Sequence, residues 1–202
     1  MTSRERKRLS AAERRARILA VAVRAFATVG YDDTSMEAIA RRAKITKPVL
    51  YDHFPSKRAL FQAVLEEIRD RLIARGKAIV KTGRDPARKF RGSVDAFLRF
   101  VEVDPDAARI LLSVPRDGYA ARASRRVQAG ASAEIARLLA AFMPGSPPWQ
   151  LQAATEFLKE GLHAVAKWWL ENRDRSRGEL VDVVARIAWT GLRRQAGKAE
   201  TE

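Results

Sequence analysis

Cysteine is absent from this 202-residue chain. Disulfides, thiolate metal sites and a cysteine nucleophile are therefore excluded, and a reducing cytoplasm is the expected setting. Histidine is scarce as well: only His53 and His163 are present, far apart in the chain. There is no GxGxxG, no phosphate-binding GxxxxGK[ST] loop and no HExxH pair, so nucleotide-binding and zinc-hydrolase chemistry have no foothold and no cofactor is expected. No run of roughly 18 apolar residues occurs, which argues against a membrane span. The basic N-terminus, "MTSRERKRLSAAERRAR", is followed by amphipathic sequence and not by an apolar stretch, so no signal peptide is expected. Alternating strand patterns and Asn-Gly hairpin signals are missing too, which leaves an all-α fold.

What is present is apolar bulk and positive charge. Hydrophobic residues make up 47% of the chain, enough for a core, and the net charge is +15. The excess is concentrated at the front: residues 1–58 carry 14 Lys and Arg against 6 Asp and Glu. Such a distribution suits a polyanion binding at the N-terminal end.

Capping signals divide the chain into helices. Ser10 and Glu13 form a capping box, each side chain satisfying an N–H of the other, and Gly30 closes the helix they open. Thr34 and Glu37 are expected to form a second box, with Met36, Ile39, Ala40 and Ala43 facing inward. A short helix then runs from Lys47 to Phe54. Pro55 and Ser56 break the chain before a fourth helix that reaches about Val80. Asp85-Pro86 and Asp104-Pro105 each combine an N-cap acid with a proline in the first turn, where a missing N–H costs nothing. Helices are expected over Ala120–Phe142 and Trp149–Asn172, and after the box formed by Ser176 and Glu179. The tail from Gln195 is expected to fray.

Two short helices joined by a three-residue turn, the second opening with polar and basic residues, match a helix-turn-helix at about residues 34–54. With Thr46 as N-cap, Pro48 is the second helical residue. Pro48 and Val49 then stand at the end that meets base edges, where they offer apolar contact to a thymine methyl. Thr46, Lys47, Tyr51, His53 and Lys57 can donate hydrogen bonds or charge to phosphates. Leu50 and Phe54, four residues apart, point inward.

The stretch "AFATVGYDDTSMEAIARRAKITKPVLYDHFPSKRALFQAVL" resembles the DNA-binding domain of the TetR (tetracycline-repressor) family of bacterial transcription regulators. The Phe-x-x-x-Gly-Tyr ending of the first helix, the Thr-Ser start of the second, "IARRA", the Tyr-x-His-Phe core and the Ser-Lys start of the fourth carry the likeness. The resemblance implies a DNA-binding domain at residues 1–58 and a ligand-binding and dimerisation domain at 59–202. It implies phosphate contacts from Thr34 and Ser35, base or nearby backbone contacts from Thr46, Lys47, Pro48 and Val49, and a phosphate clamp of Tyr51, His53 and Lys57. One position departs from the family pattern: Lys44 stands where glycine is common. A left-handed conformation there costs about 1 kcal/mol, which a phosphate contact from Lys44 could offset.

A single short reading helix covers few base pairs, so a homodimer on an inverted-repeat operator of double-stranded DNA is expected. Pairing of the last two helices with their symmetry mates makes a four-helix bundle. Ala154, Gly161 and Gly191 would allow close approach there, and Leu158, Leu162, Val165, Val184 and Leu192 would supply apolar area. By the resemblance, a small-molecule effector binds within the bundle between about Lys77 and Trp169 and releases a repressor from DNA; the alternative is a transcriptional activator or a ligand-independent DNA-binding protein of the same fold. Phe90, Phe97, Phe100, Tyr119, Phe157 and Trp168 are the candidates for a hydrophobic pocket, although at helical spacing such residues are also ordinary core. His163 reads as a core or interface residue. The arm at Arg4–Arg8 reads as a solvated tail or a minor-groove contact. A basic amphipathic membrane binder would need exposed apolar faces that a bundle core explains better. An RNA-binding module would show more stacking aromatics.

Overall fold

A computed structural model describes residues 10–80, 85–113 and 115–196. The arm at Arg4–Arg8 and the tail beyond Ala196 lie outside the described residues. Among those described there is no strand, and the helices run α1 (Ala11–Asp33), α2 (Met36–Ala43), α3 (Lys47–His53), α4 (Lys57–Val80), α5 (Pro86–Val103), α6 (Pro105–Leu112), α7 (Gly118–Phe142), α8 (Pro148–Glu171) and α9 (Arg177–Ala196).

The helix starts follow the capping chemistry. Ser10 Oγ accepts from Glu13 N at 3.2 Å while Ser10 N donates to Glu13 Oε2 at 2.7 Å. Asp85, Asp104 and Asp117 accept from the first-turn amides of α5, α6 and α7. Ser56 Oγ accepts from Ala59 N, and Ser176 and Glu179 close their box in both directions. α7 starts two residues earlier than the sequence reading, at Gly118 with Asp117 as its cap, the ends of α3 and α8 shift by one residue, and two boundaries differ in their chemistry. Gly30, at φ 80° and ψ 169°, breaks α1, but the chain recovers one more turn to Asp33. The cap of α2 is Ser35 and not Thr34: Ser35 Oγ accepts from Ala38 N at 3.1 Å. Thr34 is buried, and its hydroxyl donates to the Gly30 carbonyl at 2.6 Å.

One hydrophobic core runs from the head into the bundle. Ile18, Ala22 and Phe26 of α1 meet Ile39 of α2, Leu50 of α3 and Leu60, Phe61 and Val64 of α4, all nearly or fully buried. The rings of Phe26, Tyr31 and Phe61 lie 4.7–5.9 Å apart, centroid to centroid. Each such side chain contributes about 1.5–3 kcal/mol by leaving water. Behind the head α1 packs on α6, α4 on α5 and α7, α5 on α9, and α7 on α8.

Candidate DNA interface

The turn between α2 and α3 sets the angle of the reading helix. Lys44 adopts the left-handed conformation (φ 55°, ψ 45°) that the sequence comparison with glycine anticipated. Ile45 N donates to Ala40 O and Lys44 N to Arg41 O, both at 3.1 Å, the paired bonds of a Schellman cap. Thr46 then caps α3 with extended backbone and makes no side-chain cap bond, so its hydroxyl is not committed to the helix. Leu50 is fully buried and Phe54 nearly so, which pins the inner side of α3. The outer side carries Thr46, Lys47, Pro48 and Tyr51, all exposed, with Val49 and His53 half-buried.

Lys47 Nζ lies 2.5 Å from Glu37 Oε1 of α2 and 5.9 Å from the centre of the Tyr51 ring. Ser35 is exposed at the start of α2, and its hydroxyl hydrogen remains usable toward a phosphate while the oxygen caps the helix.

Two of the expected phosphate ligands point elsewhere. The Thr34 hydroxyl is spent on Gly30. The Lys57 ammonium turns inward and donates to the carbonyls of Tyr31, Asp32 and Thr34 at 2.9, 3.0 and 3.0 Å, so its three hydrogens are all engaged. It completes the C-terminus of α1, where carbonyls lack helical partners and a cation is favoured.

The structure adds residues that the motif did not supply. A cleft of about 350 Å³ opens between α1 and the turn, lined by Arg14, Arg17, Ile18, Ala43, Lys44, Ile45, Thr46 and Val49. Arg14 and Arg17 thus share a concavity with the reading end of α3. Their spacing on the outer face of α1 was readable in the sequence, but only the fold brings that face beside Lys44.

The head is fastened to the bundle by polar contacts. The Asp32 carboxylate accepts from Arg116 N and Asp117 N at 3.0 and 3.1 Å. Arg58 Nη2 lies 3.3 Å from Asp117 Oδ2, and its guanidinium sits 5.2 Å from the Tyr119 ring centre. Amide hydrogen bonds, first from Ala120, hold the Asp117 carboxyl below the usual carboxylate range.

The six aromatics proposed for an effector pocket do not converge. Phe100 is fully buried. Phe90 rests on Trp189 and Phe97 stacks on His163, with centroids 6.0 and 5.7 Å apart. Tyr119 donates to Gln62 Oε1 beside the head. Phe157 and Trp168 face outward, 75% and 46% exposed. Among the described residues no cluster of three or more metal-ligating side chains occurs, and no described helix is long and apolar enough to cross a membrane.

The expected dimer set is also largely turned inward. Leu192 packs with Leu139 and Met143, joined by Ala154 and Leu158, while Leu162, Val165 and Val184 lie against the main core. Only Gly161 and Gly191 of the set are exposed. The exposed large apolar side chains of α8 and α9 are instead Trp149, Phe157, Trp168, Val183 and Ile187. Apolar residues surround much of α8, so helical periodicity alone picks out two stripes and cannot rank them.

A short helix anchored from beneath, offered end-on beside a left-handed turn and a basic cleft, defines a helix-turn-helix DNA-binding protein. Residues 18–64 match the family model of bacterial regulatory proteins, tetR family. Over 191 residues, 92% of this chain and 85% of the relative, the sequence is 32% identical to the HTH-type transcriptional activator FasR of Mycolicibacterium smegmatis. The chain belongs to the TetR family and is a DNA-binding transcriptional regulator. The fold is similar to that of a TetR-like transcriptional regulator from Rhodococcus sp. RHA1, with a TM-score of 0.78, 26% identity and coverage of 92% of this chain and 98% of that one. It is similar also to the regulator FadR of Bacillus subtilis, solved in complex with stearoyl-CoA, with a TM-score of 0.77, 14% identity and coverage of 86% and 96%.

Proposed function

We propose that this regulator binds an inverted-repeat operator as a homodimer, with residues up to about 58 as the reading head, and responds to a hydrophobic small molecule held by the remainder of the chain. The observation that carries the reading is the outward display of Thr46, Lys47, Pro48 and Tyr51 over the buried pair Leu50 and Phe54. Ser35, Lys44, Val49 and His53 complete the DNA face, and Arg14 and Arg17 extend it onto α1. Two copies joined through Trp149, Phe157, Trp168, Val183 and Ile187 would cover apolar surface that is otherwise wet.

A long acyl chain is the proposed effector class. Its support is the stearoyl-CoA complex of the similarly folded FadR. Ser124 of α7 adds to it: the side chain is buried, and among the described residues its hydroxyl has no hydrogen-bond partner. An orphan hydroxyl costs about 1–3 kcal/mol, a cost that a polar group at the head of the acyl ligand would relieve and the alkyl chain itself would not. The Asp32 and Arg58 contacts to the start of α7 offer a route by which a shift in the bundle tilts the head.

The family resemblance supports repression as the first reading. Activation is the second reading, favoured by the M. smegmatis regulator, an activator similar along nearly the whole chain. Selection of bound duplexes from a random pool tests the DNA reading: an inverted repeat with half-sites about 34–36 Å apart is expected, and enrichment of a single asymmetric half-site would overturn the dimer. A reporter placed behind the selected operator decides the sign of regulation.

A further inference from the structure

We propose that Glu37 is a specificity-determining residue that withholds Lys47 from the phosphates of non-operator DNA. The inference rests on the assignment of α2 and α3 as the DNA face.

Lys47 is the first residue of the reading helix, and its ammonium contacts the Glu37 carboxylate at 2.5 Å. Both side chains are more than half exposed, on the face that carries Ser35 and Thr46. Their hydrogen bond holds the Glu37 carboxyl below the usual carboxylate range and raises the Lys47 ammonium above its ordinary value. Binding to DNA of arbitrary sequence is driven by lysines and arginines that replace condensed counterions on phosphates. A lysine already neutralised adds little to that drive. To reach a phosphate, Lys47 must leave Glu37, and the uncovered carboxylate then faces a polyanion.

Off the operator Lys47 has only a phosphate to gain, which does not repay leaving Glu37. On the operator the contacts of Thr46, Pro48 and Val49 seat the start of α3 at the base edges, where Lys47 gains a base acceptor as well, so Glu37 lowers the non-specific background more than it lowers operator affinity. The Tyr51 ring on the other side of Lys47 restricts where the ammonium can go. Glu37 stands in the first turn of α2, where an acid is favoured, and its carboxylate also takes its own backbone amide, but the N-cap of α2 is Ser35, which accepts from Ala38 N.

The test compares wild type, Glu37→Gln, Lys47→Ala and the double variant on a random-sequence duplex and on the selected operator across a salt series. Circular dichroism melting confirms that these exposed substitutions leave the fold intact. Glu37→Gln is expected to steepen the slope of log affinity against log salt on the random duplex by about 0.9 per bound subunit, and to raise that affinity about fivefold to tenfold at 0.1 M salt. Operator affinity should rise less, so the specificity ratio falls. In the Lys47→Ala background the gain should vanish. An unchanged slope, an equal gain on both duplexes, or a gain of the same size without Lys47 would each overturn the proposal. Failure of the wild type to bind either duplex would instead remove the DNA face itself.

Discussion

The ammonium of Lys57 lies 4.5 Å from the centre of the Tyr31 ring and donates a 2.9 Å hydrogen bond to the same residue's carbonyl. With the bonds to Asp32 and Thr34 it locks the end of α1 onto the start of α4. The Ser-Lys motif at Ser56 and Lys57 therefore secures the head, where a phosphate clamp was expected. Lys57→Met should lower stability by about 2–3 kcal/mol, the scale of charge-assisted bonds at a helix C-terminus. The melting temperature should drop by roughly 5–10 °C. The salt slope of DNA binding should stay nearly unchanged. A slope reduced by about one per subunit with no thermal effect would restore the phosphate role.

Lys44 offers a test in which two measurements move in opposite directions. Its left-handed backbone is strained for a residue with a Cβ, and its side chain lines the basic cleft with Arg14 and Arg17. Lys44→Gly should stabilise the fold by about 1 kcal/mol and weaken DNA binding with a shallower salt slope. If stability rises while binding is unaffected, the lysine has no phosphate partner.

Local chemistry was legible in the sequence, and long-range chemistry was not. The boxes at Ser10–Glu13 and Ser176–Glu179 and the Asp-Pro starts at Asp85 and Asp104 depend on residues within one turn, and they appear where expected. Lys44 was readable because a glycine position occupied by lysine must still turn left. Lys57 was misread because its partners lie 23 to 26 residues away. Thr34 was misread because an adjacent serine could cap equally well, and what decides between them is the hydroxyl's hydrogen bonds to the carbonyls of Gly30 and Ala25, four and nine residues back. Phe157 and Trp168 were assigned to a pocket because an apolar stripe does not declare which neighbour covers it.

The exposed apolar side chains of α8 and α9 carry the dimer prediction. Phe157 and Ile187 are 75% and 69% exposed in one chain. Phe157→Glu together with Ile187→Glu should leave the isolated fold stable, since neither side chain supports its core. The pair of charges should convert the protein to the mass of one chain in sedimentation and reduce operator affinity by at least tenfold, because a single head reads too few bases. A variant that remains dimeric would place the interface elsewhere.

Val49 is the apolar reader next to Pro48, half-buried at the edge of the cleft. Val49→Ala should relax the preference at one base pair of each half-site, by about 1 kcal/mol, without altering the salt slope. Selection with the variant should return the same repeat with one position per half degenerate. A uniform loss on all sequences would make Val49 a packing residue.

The pH response of stability should trace to His163. Its ring stacks on Phe97 at 5.7 Å, and burial pushes its imidazole below the ordinary value of 6.5; Glu160 and Glu156 pull it up, while Lys159 and Lys167 push it further down. In the fold the ring stays neutral at pH values where the unfolded chain has already taken up a proton. The unfolded state then binds more protons, so stability rises with pH across this range. The contribution is complete above the unfolded value and is lost as pH falls through it, levelling off once the folded ring is also protonated. The urea midpoint should therefore fall between about pH 7.5 and about pH 5.5 in the wild type and fall less in His163→Gln, which cannot titrate. Glu37, Asp117 and Glu156, whose carboxyls are held below their usual range, titrate under this window and do not contribute to the difference. A midpoint that rises on acidification, or an identical fall in the variant, would show that the His163 ring is not kept neutral by its seat against Phe97.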